Sequence, residues 1–88
     1  MFSLFDINHH LQKLTFKRIK QMCTHNQTDI DDNNLKVILR IIKDNPHAVI
    51  DEDYHPLLLV EISKETNLEV SKRFKPILEN YIMHEIKE

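Results

Sequence analysis

The chain has 88 residues, 41% hydrophobic and 30% charged, with a formal net charge of −2, which suits one domain with a small core and leaves little material to wall an enclosed pocket. Catalysis and a cofactor are therefore not expected, and the mildly acidic balance disfavours nucleic acid, whose phosphates call for an excess of Lys and Arg. Glycine is absent, which argues against phosphate-cradling loops and hairpin-rich sheets, both dependent on positive φ.

Without glycine, any left-handed helix caps are expected at Asn or Asp. The single cysteine, Cys23, allows no internal disulfide and fits a reducing compartment. The opening MFSLFDINHHL lacks a basic segment and reaches Asp6 too early for a signal peptide. The uninterrupted apolar run Leu57 to Val60 falls far short of the roughly 20 residues that span a bilayer. A soluble cytoplasmic protein with no membrane partner is the expectation.

In chain order, the first helix is predicted from about Leu4 to Cys23, with Leu4, Ile7, Leu11, Leu14, Ile19 and Met22 near helical period and Ser3 with Asp6 as a capping pair. Residues 24 to 34, THNQTDIDDNN, form a polar connector. Asp31 or Asp32 then caps a second helix from about Asn33 to Asp44 on Leu35, Ile38, Leu39, Ile41 and Ile42, and Asn45-Pro46 stops it.

A third, short helix is predicted after DEDYHP, with Asp53 as N-cap and Pro56 in its first turn. Leu57, Leu58, Leu59, Val60 and Ile62 make it apolar all round, which suits the centre of a bundle. Thr66 with Glu69 makes a capping box for a fourth helix from about Asn67, carrying Phe74, Ile77, Leu78, Tyr81, Ile82 and Ile86. Pro76 either kinks that helix or begins a separate one. The fold class is all-α: a small four-helix bundle with a short third helix, as a single domain over residues 1–88.

Several chemical motifs fall short on spacing. DIDDNN at residues 29–34 resembles the start of a calcium loop, but Asn34 and Arg40 stand where glycine and a bidentate Glu are required. Cys23 and His25, with the scattered His9, His10, His47 and His55, match no zinc pattern, so no metal site is expected. Those histidines also offer Cys23 no oriented base.

Charge distribution says more. No acid lies between Ile7 and Thr28, where Lys13, Lys17, Arg18 and Lys20 gather. That face could contact phosphate, or could be a solvated surface complementing acids elsewhere. From Asp44 to Glu69 the balance reverses, with seven acids against Lys64. Together with Asp29, Asp31 and Asp32 of the first connector, Asp51, Glu52 and Asp53 form a candidate anionic surface containing Tyr54. Such a surface suits a cationic protein partner: charge speeds the encounter and the ring anchors it. The same acids are also explained as helix caps.

One internal echo is present: Asn34-Leu35-Lys36-Val37 with Arg40 returns as Asn67-Leu68-Glu69-Val70 with Arg73, about 33 residues on, near the ankyrin period. The turn glycines and a third unit are missing, so a repeat array is not expected. In order of features the chain resembles the small bacterial immunity proteins that inhibit colicin and pyocin nucleases: Met22-Cys23 closing a first helix, Asp29, Asp31 and Asp32 leading into a second, Asn45-Pro46 ending it, and Asp51 ahead of Tyr54-His55-Pro56. It departs from them at His47-Ala48-Val49-Ile50, at His55 and in lacking tryptophan.

The resemblance implies a four-helix bundle in which the acids near the second helix choose the toxin and Asp51 and Tyr54 make shared contacts. The expected function is thus inhibition of a basic toxin or nuclease through Asp29, Asp31, Asp32, Asp51, Glu52, Asp53 and Tyr54. The alternatives are a nucleic-acid-associated regulator using Lys13, Lys17, Arg18 and Lys20, and a homodimer built on the last helix.

Overall fold

The computed structural model describes His9 and residues 11–82, and among these all regular structure is helical. The Ser3 with Asp6 capping pair and the expected core positions Leu4, Ile7 and Ile86 lie outside the described residues, as do the side chains of Tyr81 and Ile82. Helix α1 is Phe16–His25, α2 is Asp32–Asp44, α3 is the short Pro46–Ile50, α4 is His55–Glu65 and α5 is Leu68–Ile77. A single 3-10 turn, Glu52–Tyr54, leads into α4, and a π-helical turn, Leu78–Ile82, continues α5. The all-α bundle expected from the sequence is therefore present, with its four longer helices α1, α2, α4 and α5.

The first helix is not continuous from Leu4 to Cys23. Residues 11–13 are helical, the helix breaks at Leu14 and Thr15, and α1 then runs on to His25. The cause is local: Thr15 is extended (φ −102°, ψ 160°) and its hydroxyl accepts a hydrogen bond from the Arg18 N–H at 3.1 Å, capping a new helix start. The five-residue step from Leu14 to Ile19 is a phase slip that one straight helix cannot carry on a single face.

The C-terminus of α1 corrects a second expectation. The Thr28 N–H reaches the Cys23 carbonyl at 2.8 Å and the Gln27 N–H reaches Thr24 at 3.0 Å, with Gln27 at φ 54°. This is the paired closure that ends many helices with glycine in the left-handed position. Here glutamine takes that position, rather than the Asn or Asp expected.

Asp31 caps α2, its carboxylate accepting from the Asn34 N–H at 3.3 Å and from the Asn34 side-chain amide at 2.6 Å. Leu35, Ile38, Ile41 and Ile42 form the buried stripe of α2. Asn45-Pro46 ends it as the sequence requires, and Pro46 immediately opens α3. Pro46–Ile50 is thus an additional short helix, and the helix expected after DEDYHP is present as α4.

Asp53 does not cap α4. The Asp51 carboxylate accepts from the Asp53 N–H at 3.0 Å, capping the 3-10 turn instead, and Tyr54 precedes α4 without a side-chain cap. Because the 3-10 turn runs straight into α4, its carbonyls serve the N–H groups that would otherwise need a cap; the His55 N–H bonds to Glu52. Nor is α4 central. Leu58 and Ile62 are buried, whereas Leu57 is 64% and Val60 49% exposed.

At α5 the capping box is displaced by one residue. Asn67 accepts from the Val70 N–H at 2.9 Å, while the Thr66 hydroxyl donates back to the Ile62 carbonyl at 2.6 Å. Glu69 pairs with Arg73 at 3.2 Å rather than closing the box. Pro76 lies inside α5, and the widened turn that follows absorbs the hydrogen bond that proline cannot donate. The helices close around Ile19, Met22, Leu35, Ile38, Ile62 and Phe74, all fully enclosed. Each such side chain contributes about 1.5–3 kcal/mol by leaving water.

Candidate functional site: the Tyr54 turn and the groove beside it

The turn that carries Tyr54 is held from both sides. The Tyr54 N–H bonds to the Asp51 carbonyl at 2.9 Å, and the next residue, His55, is buried with its Nε2 2.7 Å from the Val49 carbonyl oxygen. These bonds fix the backbone and leave the side chains of Glu52, Asp53 and Tyr54 outside. Tyr54 is 41% exposed, and its ring lies 5.2 Å from that of His47 at an interplanar angle of 55°. An aromatic ring in contact with His47 and otherwise half exposed, on a turn whose other residues are acids, is a geometry that can anchor a cationic surface.

The other candidate acids sit elsewhere. Asp29 and Asp31 precede α2 and Asp32 opens it, while Asp51, Glu52 and Asp53 follow its C-terminus; a helix of that length separates its ends by about 18 Å. Asp31 is committed to capping, and Asp32 pairs with Lys20 at 2.8 Å. The backbone carbonyl of Asp29 accepts from Arg73 Nη1 at 2.8 Å. The second group is gathered within one turn around Tyr54, whereas the first has structural work of its own.

Lys13, Lys17, Arg18 and Lys20 are all exposed. Lys17, Arg18 and Lys20 line a shallow cleft of about 710 Å³ along α1, and Lys13 lies ahead of the break and outside it. Lys20 turns toward α2: besides its ion pair with Asp32, its Nζ lies 5.8 Å from the Phe16 ring centroid, with Lys36 Nζ at 5.6 Å from the same ring.

Cys23 is buried at the end of α1, and burial pushes its thiol up to about 11. At neutral pH it is protonated and packs as a small apolar residue. Among the described residues no three His, Cys, Asp or Glu side chains come together as a group that could hold a metal ion. Also among the described residues, no helix is long and apolar enough to cross a membrane.

A feature the sequence reading missed lies next to the Tyr54 turn. Helices α4 and α5 enclose a groove of about 670 Å³ whose lining includes Pro56, Leu59, Val60 and Leu68, with Lys72 and Lys75 on the α5 side and Glu52 and Glu79 among its acids. The Ser71 hydroxyl crosses the groove floor to donate to the Leu59 carbonyl at 2.7 Å. Leu68 is 63% exposed, so with Leu57 and Val60 it leaves apolar surface in water beside the Tyr54 turn. The signal was available: a helix apolar on every side in so small a domain has more apolar surface than the core can take.

Comparison with protein-family models, with curated proteins and with solved structures finds no match.

Proposed function

We propose that this protein binds another protein through the Asp51–Tyr54 turn, and that the partner is basic, most concretely a toxin or nuclease whose cationic active surface the turn covers. The observation that carries this reading is the exposure of the Tyr54 ring on a turn fixed by Asp51 and by the buried His55. A preformed anchor loses little freedom on binding, and the acids around it steer a positive surface into register while competing with nucleic acid for it. The resemblance to nuclease immunity proteins points the same way. In this reading the acids before α2 contribute long-range attraction, and those next to Tyr54 make the contact.

The test is calorimetric titration against a basic nuclease, in the first instance the product of the adjoining gene. Binding should weaken as salt rises and should fall by roughly tenfold or more in Tyr54→Ala, an aromatic anchor being worth upwards of about 1.4 kcal/mol. Glu52→Gln with Asp53→Asn should slow association. Tyr54 is a surface residue, so its removal should leave unfolding within about 0.5 kcal/mol of the parent. Salt-independent binding, or full affinity in Tyr54→Ala, would remove the reading.

The cleft along α1 supports a second reading, contact with nucleic acid phosphates through Lys17, Arg18 and Lys20. Oligonucleotide binding that disappears in Lys17→Glu with Arg18→Glu, and is untouched by Tyr54→Ala, would favour it over the first.

A further inference from the structure

The two surface clefts differ in charge. The groove between α4 and α5 sets Glu52 and Glu79 against Lys72 and Lys75, so it favours neither sign. The cleft along α1 is lined by Lys17, Arg18 and Lys20 and, among the described residues, by no carboxylate. Asp32 stands beside it, paired with Lys20 at 2.8 Å. Phe16 also lines this cleft, half-buried and packed against the core. Ammonium groups from two helices approach its ring, Lys20 Nζ of α1 at 5.8 Å from the centroid and Lys36 Nζ of α2 at 5.6 Å. One aromatic ring thus stands among four cations.

The cations decide the sign of the occupant, and the ring decides its kind. An amphipathic helix needs several apolar anchors spaced along a groove. Here Met22 is buried, which leaves Phe16 as the large apolar side chain that an occupant can reach among the described lining residues. A duplex offers phosphates but keeps the faces of its bases stacked inside, out of reach of a ring on a shallow wall. A single strand offers both, phosphates for the basic side chains and an unstacked base with a flat face for the ring. Stacking of a base outweighs an exposed ammonium over the same ring, so Lys20 and Lys36 yield the ring to the base and turn to the phosphates that flank it.

We propose that the α1 cleft binds single-stranded nucleic acid, one base stacking on Phe16 while the neighbouring phosphates meet Lys17, Arg18, Lys20 and Lys36. DNA and RNA are bound alike, because neither contact uses the sugar 2′-hydroxyl. This deepens the second reading above and rests on it, adding the form of the strand and the residue that stacks; the Tyr54 turn takes no part.

The chain has no tryptophan, so Phe16→Trp puts a lone indole reporter at the stacking position. Titrating the full-length variant at low salt with an oligothymidylate of about ten nucleotides should quench the indole. The logarithm of the affinity should fall against the logarithm of salt with a slope of roughly −2 to −3, the value for three or four phosphate contacts to a single strand. A duplex of the same length should leave the indole unquenched. Phe16→Leu, followed by anisotropy of the labelled strand, should bind roughly tenfold more weakly with an unchanged circular dichroism spectrum. Lys17→Glu with Arg18→Glu should abolish binding, and Tyr54→Ala should not alter it. Strand binding without quenching, quenching by the duplex, or full affinity in Phe16→Leu would overturn the proposal and leave phosphate contact through the cleft standing. No binding of either form to the parent chain would remove both.

Discussion

The Nε2 of His55 lies 2.7 Å from the carbonyl oxygen of Val49, with the imidazole buried. As the carbonyl can only accept, Nε2 carries the proton and donates it, so one ring joins α3 to the first turn of α4 across the segment that presents Tyr54. A position that reads as part of a polar recognition loop is thus a structural clasp.

Removing that clasp should be costly. His55→Leu keeps most of the volume but leaves the Val49 carbonyl without its partner, so urea denaturation should show a loss of about 1–3 kcal/mol. The variant should also lose binding to a basic partner, because the Tyr54 turn is no longer held. A His55→Leu protein as stable as the parent would mean that water replaces the ring at Val49.

Gln27 holds the left-handed position that ends α1, where a Cβ atom costs roughly 1–2 kcal/mol, partly offset by the extra chain entropy that glycine loses on folding. Gln27→Gly should therefore raise stability, by about 0.5–1 kcal/mol, as read from the urea midpoint. Gln27→Val, branched at Cβ, should lower it. Equal midpoints for all three proteins would show that the turn relaxes out of the left-handed region.

What the sequence makes legible divides along physical lines. The second helix could be read almost residue by residue, because Asp31, the spacing of Leu35, Ile38, Ile41 and Ile42, and Asn45-Pro46 all act within a few residues of where they sit. The break at Thr15 was also visible in principle, in the five-residue gap after Leu14. Asp53 and Thr66 have residue types that suit capping as well as their neighbours' do. Which of several adjacent oxygens wins is decided by backbone angles that depend on the flanking turns, and here Asp51 and Asn67 win. The Tyr54 turn was legible as composition, whereas the groove between α4 and α5 exists only once two helices have packed.

Pro76 interrupts the hydrogen-bond ladder of α5 just before the π-helical turn Leu78–Ile82. An interior proline costs a helix about 3 kcal/mol, and part of that is recovered by the widened turn. Pro76→Ala should accordingly stabilise the protein, by about 1–2 kcal/mol, and make the amide at position 76 resistant to hydrogen exchange. Destabilisation would instead show that the ring of Pro76 contributes more through packing than it takes from the ladder.

Burial pushes the Cys23 thiol from its usual value of 9.0 up to about 11. The folded state therefore holds this proton more tightly than the unfolded chain, so the corresponding stability is complete below pH 9 and is lost as pH rises through about 11. Urea midpoints measured between pH 8 and 11, on the order of the interval between the two values, should fall more steeply in the parent than in Cys23→Ala, whatever the absolute cost of the smaller side chain. The native thiol should also resist alkylation at neutral pH. Parallel pH profiles would mean that the Cys23 thiol takes no part in alkaline unfolding.

The guanidinium of Arg73 reaches back 44 residues to the backbone of Asp29. Helices α4 and α5 meet through a short connection and can find each other quickly, whereas this latch must wait until most of the polypeptide has been gathered in, because closing so long a loop is entropically slow. The stretch ahead of α2 is thereby tied to α5, which joins two parts of the chain that lie far apart in sequence.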